Sequence, residues 1–201
     1  IRTMRPERVV GSHFVQPAHI VPIVEVVMGQ RTSESVARKC CEIWRNLGKI
    51  PLLVKIDVSG FLVNRLQHSI IREATALLAQ GIATAEDIDT AVAVGLAPRF
   101  MTAGPLEQRD INGIKMHFDV ASQVWKELDG FMIPLNYLKE KGERGELGLQ
   151  VGKGYDDWKD IDLVSVRREK DQALMRWTKE LSDWRKTQSQ LFHVKSLTVK
   201  K

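Results

Sequence analysis

Two side chains near the start of the sequence offer the most readily written chemistry. His13 stands at the end of one short β-branched run, and Glu25 lies twelve residues later in the next. If the two runs are neighbouring strands, imidazole and carboxylate meet across the pairing. Histidine titrates near neutral pH, and a carboxylate on one ring nitrogen fixes the tautomer and raises the basicity of the other. His13 would then be able to take a hydroxyl proton. The same spacing also fits a strand-capping histidine beside a solvated glutamate, and spacing alone does not choose between them.

Other reactive groups offer less. Cys40 and Cys41 are adjacent within a helical pattern, where they close no loop as a disulfide and find no partners for a zinc site. A reducing compartment is therefore expected, with no metal centre. The glycine-rich stretch Gly148 to Gly154 is one residue short of the phosphate-loop spacing and has glycine where a metal-binding hydroxyl is needed. It is rejected as a nucleotide site.

The elements that must position His13 and Glu25 follow from the hydrophobic pattern. Runs from Arg8 to Phe14 and from Ile20 to Met28, set around Pro17 and Pro22, read as two strands. Thr32 or Ser33, followed by Glu34, opens a helix through Val36, Cys40, Ile43, Trp44 and Leu47 that stops at Gly48; Leu52 to Ile56 is again extended. This strand, helix, strand order implies a parallel crossover, and a parallel sheet is normally covered on both faces, so further strands are expected upstream. From Phe61 the period changes: Leu62, Leu66, Ile70, Ala74 and Leu77 mark a helix of about six turns ending at Gly81. Thr84 with Asp87 starts a helix over Ala85 to Val94, and Pro105 begins a helical region interrupted near Gly113 and running on through Trp125 to Leu128. Residues 142–155, with five glycines, read as a flexible loop, Ile161 to Trp184 as a charged amphipathic helix, and the residues after Gln190 as unstructured. The inferred architecture is a truncated α/β edge followed by an all-helical domain, with the boundary near Val58 to Gly60.

Charge and hydropathy exclude some classes. The net charge of +5 is carried by Arg185, Lys186, Lys195, Lys200 and Lys201, in a final stretch without acids, so residues 1–184 are formally neutral. A basic tail more often keeps an end solvated than binds nucleic acid, and no nucleic-acid partner is expected. No apolar run approaches the roughly 20 residues of a membrane span, which points to a soluble, cytoplasmic protein. The chain opens on Ile1 rather than methionine, which reads as a cut.

Two longer motifs identify a family. Gly11-Ser12-His13-Phe14 with Pro17 and then Val24-Glu25-Val26-Val27 resembles the catalytic segment of the 3-hydroxyacyl-CoA dehydrogenase family. Gly60-Phe61-Leu62-Val63-Asn64-Arg65-Leu66 is similar to that family's glycine, aromatic, apolar pair, asparagine, arginine motif at the usual distance beyond the glutamate. The resemblance runs to Trp158 and includes Asp87 to Asp89 and the Gly152-Lys153-Gly154-Tyr155-Asp156 loop.

The resemblance implies a mainly α fold: a helical, 6-phosphogluconate-dehydrogenase-like C-terminal dimerisation domain, preceded by the last strands and helix of a truncated α/β Rossmann domain. It divides the chain into a remnant of the NAD-binding domain at 1–58, a helical substrate and dimerisation domain at 59–190 and a basic tail at 191–201. By the same resemblance His13 is the general base, Glu25 orients it, and Asn64 hydrogen-bonds near the substrate oxygen. The cofactor implied is NAD, although the family's upstream serine and its glycine-rich pyrophosphate turn have no counterpart in these residues. Gln16 stands where the family usually has asparagine and is expected to shape the substrate pocket. Asn64-Arg65-Leu66-Gln67, Gly81-Ile82, Gly95-Leu96 with Arg99, and Gly104-Pro105-Leu106-Glu107 look most like the branch of lambda-crystallin and L-gulonate 3-dehydrogenase, which handles free hydroxyacids. Arg99 is accordingly expected to anchor a substrate carboxylate through its planar guanidinium; a surface arginine near a helix end is the competing reading. The expected function is that of part of an NAD-dependent dehydrogenase acting on the hydroxyl of a 3-hydroxyacyl-CoA or a free 3-hydroxyacid, with the isolated chain inactive. A crystallin-like structural module is the alternative. A homodimer through the helical half is expected, because a stripe such as Leu62, Leu66 and Ile70 needs cover; a monomer core is the competing reading.

Overall fold

The computed structural model describes residues 3–130 and 136–188 of the chain. They fall into two compact units, Ile1–Gln67 with Arg167–Lys201, and His68–Val166. The fold is mainly helical with one small sheet. The residues after Gln190, including the 191–201 tail, lie outside the described residues.

In the first unit β1 (Val10–Phe14), β2 (Ile23–Met28) and β3 (Ile50–Val54) form a sheet in that order. β1 runs antiparallel to β2, and β2 runs parallel to β3 across the crossover helix α1 (Glu34–Asn46). The strand edges differ from those the sequence suggests. Pro6 to Arg8 form a single 3-10 turn, so β1 starts late. Ile20 and Val21 donate to the Pro17 carbonyl, which holds residues 17–22 in a turn and delays β2. Ile50 donates to the Pro22 carbonyl, so β3 begins earlier than its apolar run implies.

β2 is the central strand, and Val24, Glu25, Val26 and Val27 are all buried in it. Strand side chains alternate between faces. Val26 packs with Ala37 and Cys41 of α1, joined by Val10, Met28, Trp44 and Leu53 at the margin. Each fully buried valine contributes roughly 1.5–3 kcal/mol through the area it removes from water. Ser12 and Phe14 face the same side: the Trp44 indole N–H donates to Ser12 Oγ at 3.1 Å, and the Phe14 and Trp44 rings meet edge to face at 5.2 Å. His13 and Glu25 therefore project from the opposite face. Ser33 caps α1 by accepting from the Val36 N–H, whereas Thr32 ties the preceding turn to Gly29 N and Val9 O.

Helix α2 (Val63–Ala79) gives its first turn to the first unit and the rest to the second. In the second unit Thr84 caps α3 (Ala85–Thr90), accepting from the Asp87 N–H while its hydroxyl donates to the Asp87 carboxylate. The continuous helix expected to Val94 is instead broken into α3, a π-helical turn over Ala91–Leu96, and α4 (Ala97–Thr102). Pro98 explains the change. It has no N–H to continue the ladder and its ring crowds the preceding turn, and the widened turn, in which Ala97 N–H reaches the Val92 carbonyl, accommodates it. α5 (Glu107–Asn112) and α6 (Ile114–Val124) are separated at Gly113, as the sequence suggests.

The glycine-rich stretch after α7 (Asn136–Glu143), expected as a flexible loop from its composition, carries specific backbone pairings. Gly148 pairs with Lys153, and Lys153 with Asp157. A Cβ on Gly154 would lie 2.7 Å from the Gly148 Cα, so glycine is required there by close backbone approach. Lys141, largely buried, donates to Glu146 and to the Gly154 carbonyl at 2.7 Å each and lies over the rings of Tyr137 and Tyr155. Helix α8 (Leu163–Gln188) follows.

Candidate active site

The antiparallel register sets His13 opposite Glu25. His13 Nδ1 and Glu25 Oε2 are 2.7 Å apart, within a strong hydrogen bond. Glu25 is completely buried, and the His13 side chain is 37% exposed. The dyad geometry is therefore present, and the solvated glutamate is not.

A buried carboxylate needs further partners. The other oxygen, Glu25 Oε1, accepts the backbone N–H groups of Leu62 at 2.8 Å and Val63 at 3.0 Å. These N–H groups belong to the start of α2, where a helix leaves donors without internal partners and presents the positive end of its dipole. Burial pushes the Glu25 carboxyl up, but the hydrogen bonds from Val63, His13 and Leu62 and the charge of His13 outweigh it and hold the group below the ordinary carboxylate value. An ionised carboxylate only accepts hydrogen bonds, so His13 Nδ1 carries the proton that joins them. In the neutral ring Nε2 then keeps its lone pair, as a general base requires.

The chain reaches α2 through two residues in the left-handed region, Gly60 at φ 77° and Phe61 at φ 46°. A Cβ on Gly60 would also press on Arg65 Cγ at 3.2 Å, which accounts for the glycine of this motif. The Phe61 ring lies 5.3 Å from the His13 ring, tilted by 59°. Sequence reasoning missed both the helix-start clamp and Phe61. One signal was available: residues 60–62 supply no polar side chain to cap α2, so its first N–H groups need an acceptor from elsewhere.

The remaining predicted residues are distributed as follows. Asn64 lies in the first turn of α2, half-buried, with its amide free of hydrogen bonds among the described residues. Gln16 is exposed, and its side-chain carbonyl accepts from the Ala18 N–H at 3.3 Å, a local turn contact. Arg99 is exposed in α4 and belongs to the second unit, and its guanidinium makes no ion pair among the described residues.

A dinucleotide is normally held with its pyrophosphate at a glycine-rich strand-to-helix turn. Neither strand-to-helix turn of this sheet offers that: between β2 and α1, Thr32 bonds Gly29 and Ser33 occupies the helix start, and after β3 the first N–H groups of α2 are taken by Glu25. The described residues therefore do not fit a pyrophosphate. Among them no group of three His, Cys, Asp or Glu side chains could hold a metal ion, and no helix is long and apolar enough to cross a membrane.

The strand–helix–strand unit with its His–Glu pair clamped by a helix start can be placed by comparison with known proteins. Residues 2–58 match the 3-hydroxyacyl-CoA dehydrogenase, NAD binding domain, and residues 60–158 match the 3-hydroxyacyl-CoA dehydrogenase, C-terminal domain. The chain belongs to the 3-hydroxyacyl-CoA dehydrogenase family. It is 32% identical over 149 residues to the 5-formyl-3-hydroxy-2-methylpyridine 4-carboxylate 5-dehydrogenase of Mesorhizobium japonicum, covering 74% of this chain and 48% of the relative. To the 3-hydroxyadipyl-CoA dehydrogenase of Escherichia coli it is 35% identical over 158 residues, 77% of this chain and 32% of that one. Lambda-crystallin of Oryctolagus cuniculus is 36% identical over 101 residues, 50% of this chain and 32% of that protein. Among solved structures, an NAD+ dependent dismutase, 5-formyl-3-hydroxy-2-methylpyridine 4-carboxylic acid 5-dehydrogenase, superposes with a TM-score of 0.84 at 29% identity, over 88% of this chain and 57% of that one. The 3-hydroxybutyryl-CoA dehydrogenase of Escherichia coli gives 0.58 at 33% identity, over 78% and 33%. The chain thus spans about half the length, or less, of the relatives it matches.

Proposed function

We propose that the chain is the C-terminal part of an NAD-dependent dehydrogenase that oxidises the hydroxyl of a 3-hydroxyacyl-CoA or a free 3-hydroxyacid. In this reading residues 1–58 close the NAD-binding Rossmann domain, and 59–190 form the helical, 6-phosphogluconate-dehydrogenase-like substrate and dimerisation domain ahead of a basic tail. The observation that carries the reading is the buried Glu25 carboxylate, clamped by the α2 N–H groups and set 2.7 Å from His13 Nδ1. His13 Nε2 takes the substrate hydroxyl proton, and Glu25 holds the resulting imidazolium in place. Asn64, with a free side-chain amide on the residue next to the clamp, is the hydrogen-bonding partner of the substrate oxygen. Nicotinamide accepts the hydride, and its pyrophosphate must be held by residues other than those described. A polypeptide limited to these 201 residues is accordingly expected to show no turnover, in a protein whose expected location is the cytoplasm.

Two features favour a free acid over a thioester. The solved relative with the TM-score of 0.84 is a dehydrogenase of a pyridine carboxylic acid, whereas the 3-hydroxybutyryl-CoA enzyme gives 0.58. Arg99 also offers an exposed guanidinium without an ion partner among the described residues, suited to grip a carboxylate with two hydrogen bonds. Gln16 contributes to the pocket wall in this reading. The crystallin-like structural role, raised by the similarity to lambda-crystallin, gives no reason for the buried carboxylate to hold a histidine tautomer.

The test is kinetic, in the full-length enzyme. Replacing His13 by glutamine should lower kcat by roughly 10²–10⁴-fold, the usual contribution of a general base. Arg99→Ala should lower kcat/KM for carboxylate substrates more than for neutral ones, because a uniform loss would indicate general disruption. Unchanged turnover in the His13 variant would overturn the catalytic reading; equal losses on both substrate classes for Arg99→Ala would remove only the anchor.

A further inference from the structure

We propose that Phe61 is a positioning residue for His13. Its ring restricts the imidazole plane, and its left-handed backbone aims the Leu62 and Val63 N–H groups at Glu25. This inference deepens the dehydrogenase reading and rests on it.

The argument starts from a conformation that the sequence does not favour. A bulky residue at positive φ is an outlier, because its Cβ crowds the backbone carbonyl. Besides Phe61, the only described non-glycine residue with positive φ is Asp160, whose short polar side chain tolerates that region. Glycine or asparagine at position 61 would cost less backbone strain. Such strain persists where the surroundings over-determine it, and those places cluster at functional sites.

What surrounds Phe61 is functional on both sides. Its own N–H donates to the Val58 carbonyl at 3.0 Å, which closes the turn from β3. The next two N–H groups, of Leu62 and Val63, are the ones that hold Glu25. Its ring meets the His13 imidazole at 5.3 Å. One hydrogen bond at Nδ1 fixes a single point of the imidazole and leaves the ring free to swing about it; an aromatic neighbour on one side removes that freedom. Glu25 is the one charged group paired with His13 among the described residues. When His13 takes a proton, the aromatic ring is also a favourable neighbour for the imidazolium. An apolar filler could occupy the space, but only a flat ring performs both tasks.

The experiment compares Phe61→Ala, Phe61→Gly, Phe61→Tyr and His13→Ala in the full-length enzyme, with melting temperature followed for each. Phe61→Ala and Phe61→Gly should each lower kcat roughly three- to tenfold, with KM little changed and the acid limb of the kcat/KM pH profile displaced. Phe61→Tyr, which keeps the ring and the backbone, should restore both rate and profile. Phe61→Gly, relieved of backbone strain, should melt no lower than Phe61→Ala and yet be no faster. Wild-type kcat in Phe61→Gly would overturn the proposal, and so would rate losses that follow the melting temperature while the pH profile stays in place. Turnover surviving in His13→Ala would instead sink the underlying reading, whereas an inert His13→Ala beside Phe61 variants at full rate would sink only the positioning role.

Discussion

Glu25 is held by three hydrogen bonds that separate its two roles, and a single substitution can pull those roles apart. In Glu25→Gln the amide oxygen can still accept from Leu62 and Val63, so the helix start keeps its acceptor. The amide nitrogen, however, must donate to His13 Nδ1, which moves the imidazole proton to Nε2. The reversed tautomer has no lone pair for the substrate. The full-length enzyme should then lose roughly 10³–10⁴-fold in kcat, as other bases do when their tautomer is reversed, while remaining folded. Nitrogen-15 NMR of the His13 ring would report the proton on Nε2; a proton still on Nδ1 would contradict the mechanism. The same carboxylate predicts acid sensitivity. Its folded value lies below the ordinary carboxylate value of 4.5, so it adds stability above about that pH, and the contribution is lost as pH falls through the folded value. Denaturant midpoints measured at about pH 6 and about pH 3 should fall more for the wild type than for Glu25→Gln, which has no proton to take up there.

At the scale of elements, the sequence was legible wherever a local rule decides the structure. Ser33 and Thr84 are polar caps and both open helices, Gly113 breaks one, and the β-branched run around Val26 is a buried strand. The His13–Glu25 pair was legible as a possibility because strand pairing is simple to imagine, but the register that brings it to 2.7 Å is a tertiary fact. What stayed hidden depends on contacts across sequence. The π-helical turn before Arg99 follows from the demand of Pro98 on the preceding turn, which apolar spacing does not record. The clamp on Glu25 joins residues 37 and 38 positions apart. The pairings in the loop after α7 were not legible because composition reads glycine as flexibility, whereas Gly154 also lets its backbone pass against Gly148. That difference is testable by Gly154→Ala. The added methyl meets backbone rather than a yielding side chain, so the loop must open, at a cost of roughly 1–3 kcal/mol. Hydrogen exchange should then rise first at the amides bonded within it, those of Gly148 and Trp158. Unchanged exchange and melting temperature would show that the close approach is not constraining.

At the scale of the whole molecule, the described apolar side chains are not all covered. Ile111 on α5 and Ile114, Phe118 and Val124 on α6 are each 48–69% exposed, as is Trp125 at the end of α6, at 66%. Positions 114, 118 and 125 share one face at helical spacing, with the small Ala121 between them. Leu66 on α2, part of the stripe whose cover the sequence left open, is 61% exposed as well. Single exposed apolar residues are ordinary on a soluble protein, but a row of large ones along a helix marks an interaction face. A second copy of the same chain is the simplest cover, because a two-fold axis lets one face serve both partners. The full-length protein is therefore expected to sediment at twice its monomer mass. Phe118→Asp places a charge in the middle of the row, where a closed interface offers it no water, and should shift the equilibrium towards monomer by a factor of ten or more at roughly 1.4 kcal/mol per decade. The dyad lies in residues 1–67, away from this row in sequence, so His13 should keep its tautomer in the variant even as the mass halves. A wild-type protein that is monomeric at micromolar concentration would remove the homodimer and require these faces to be covered by other parts of the full-length chain.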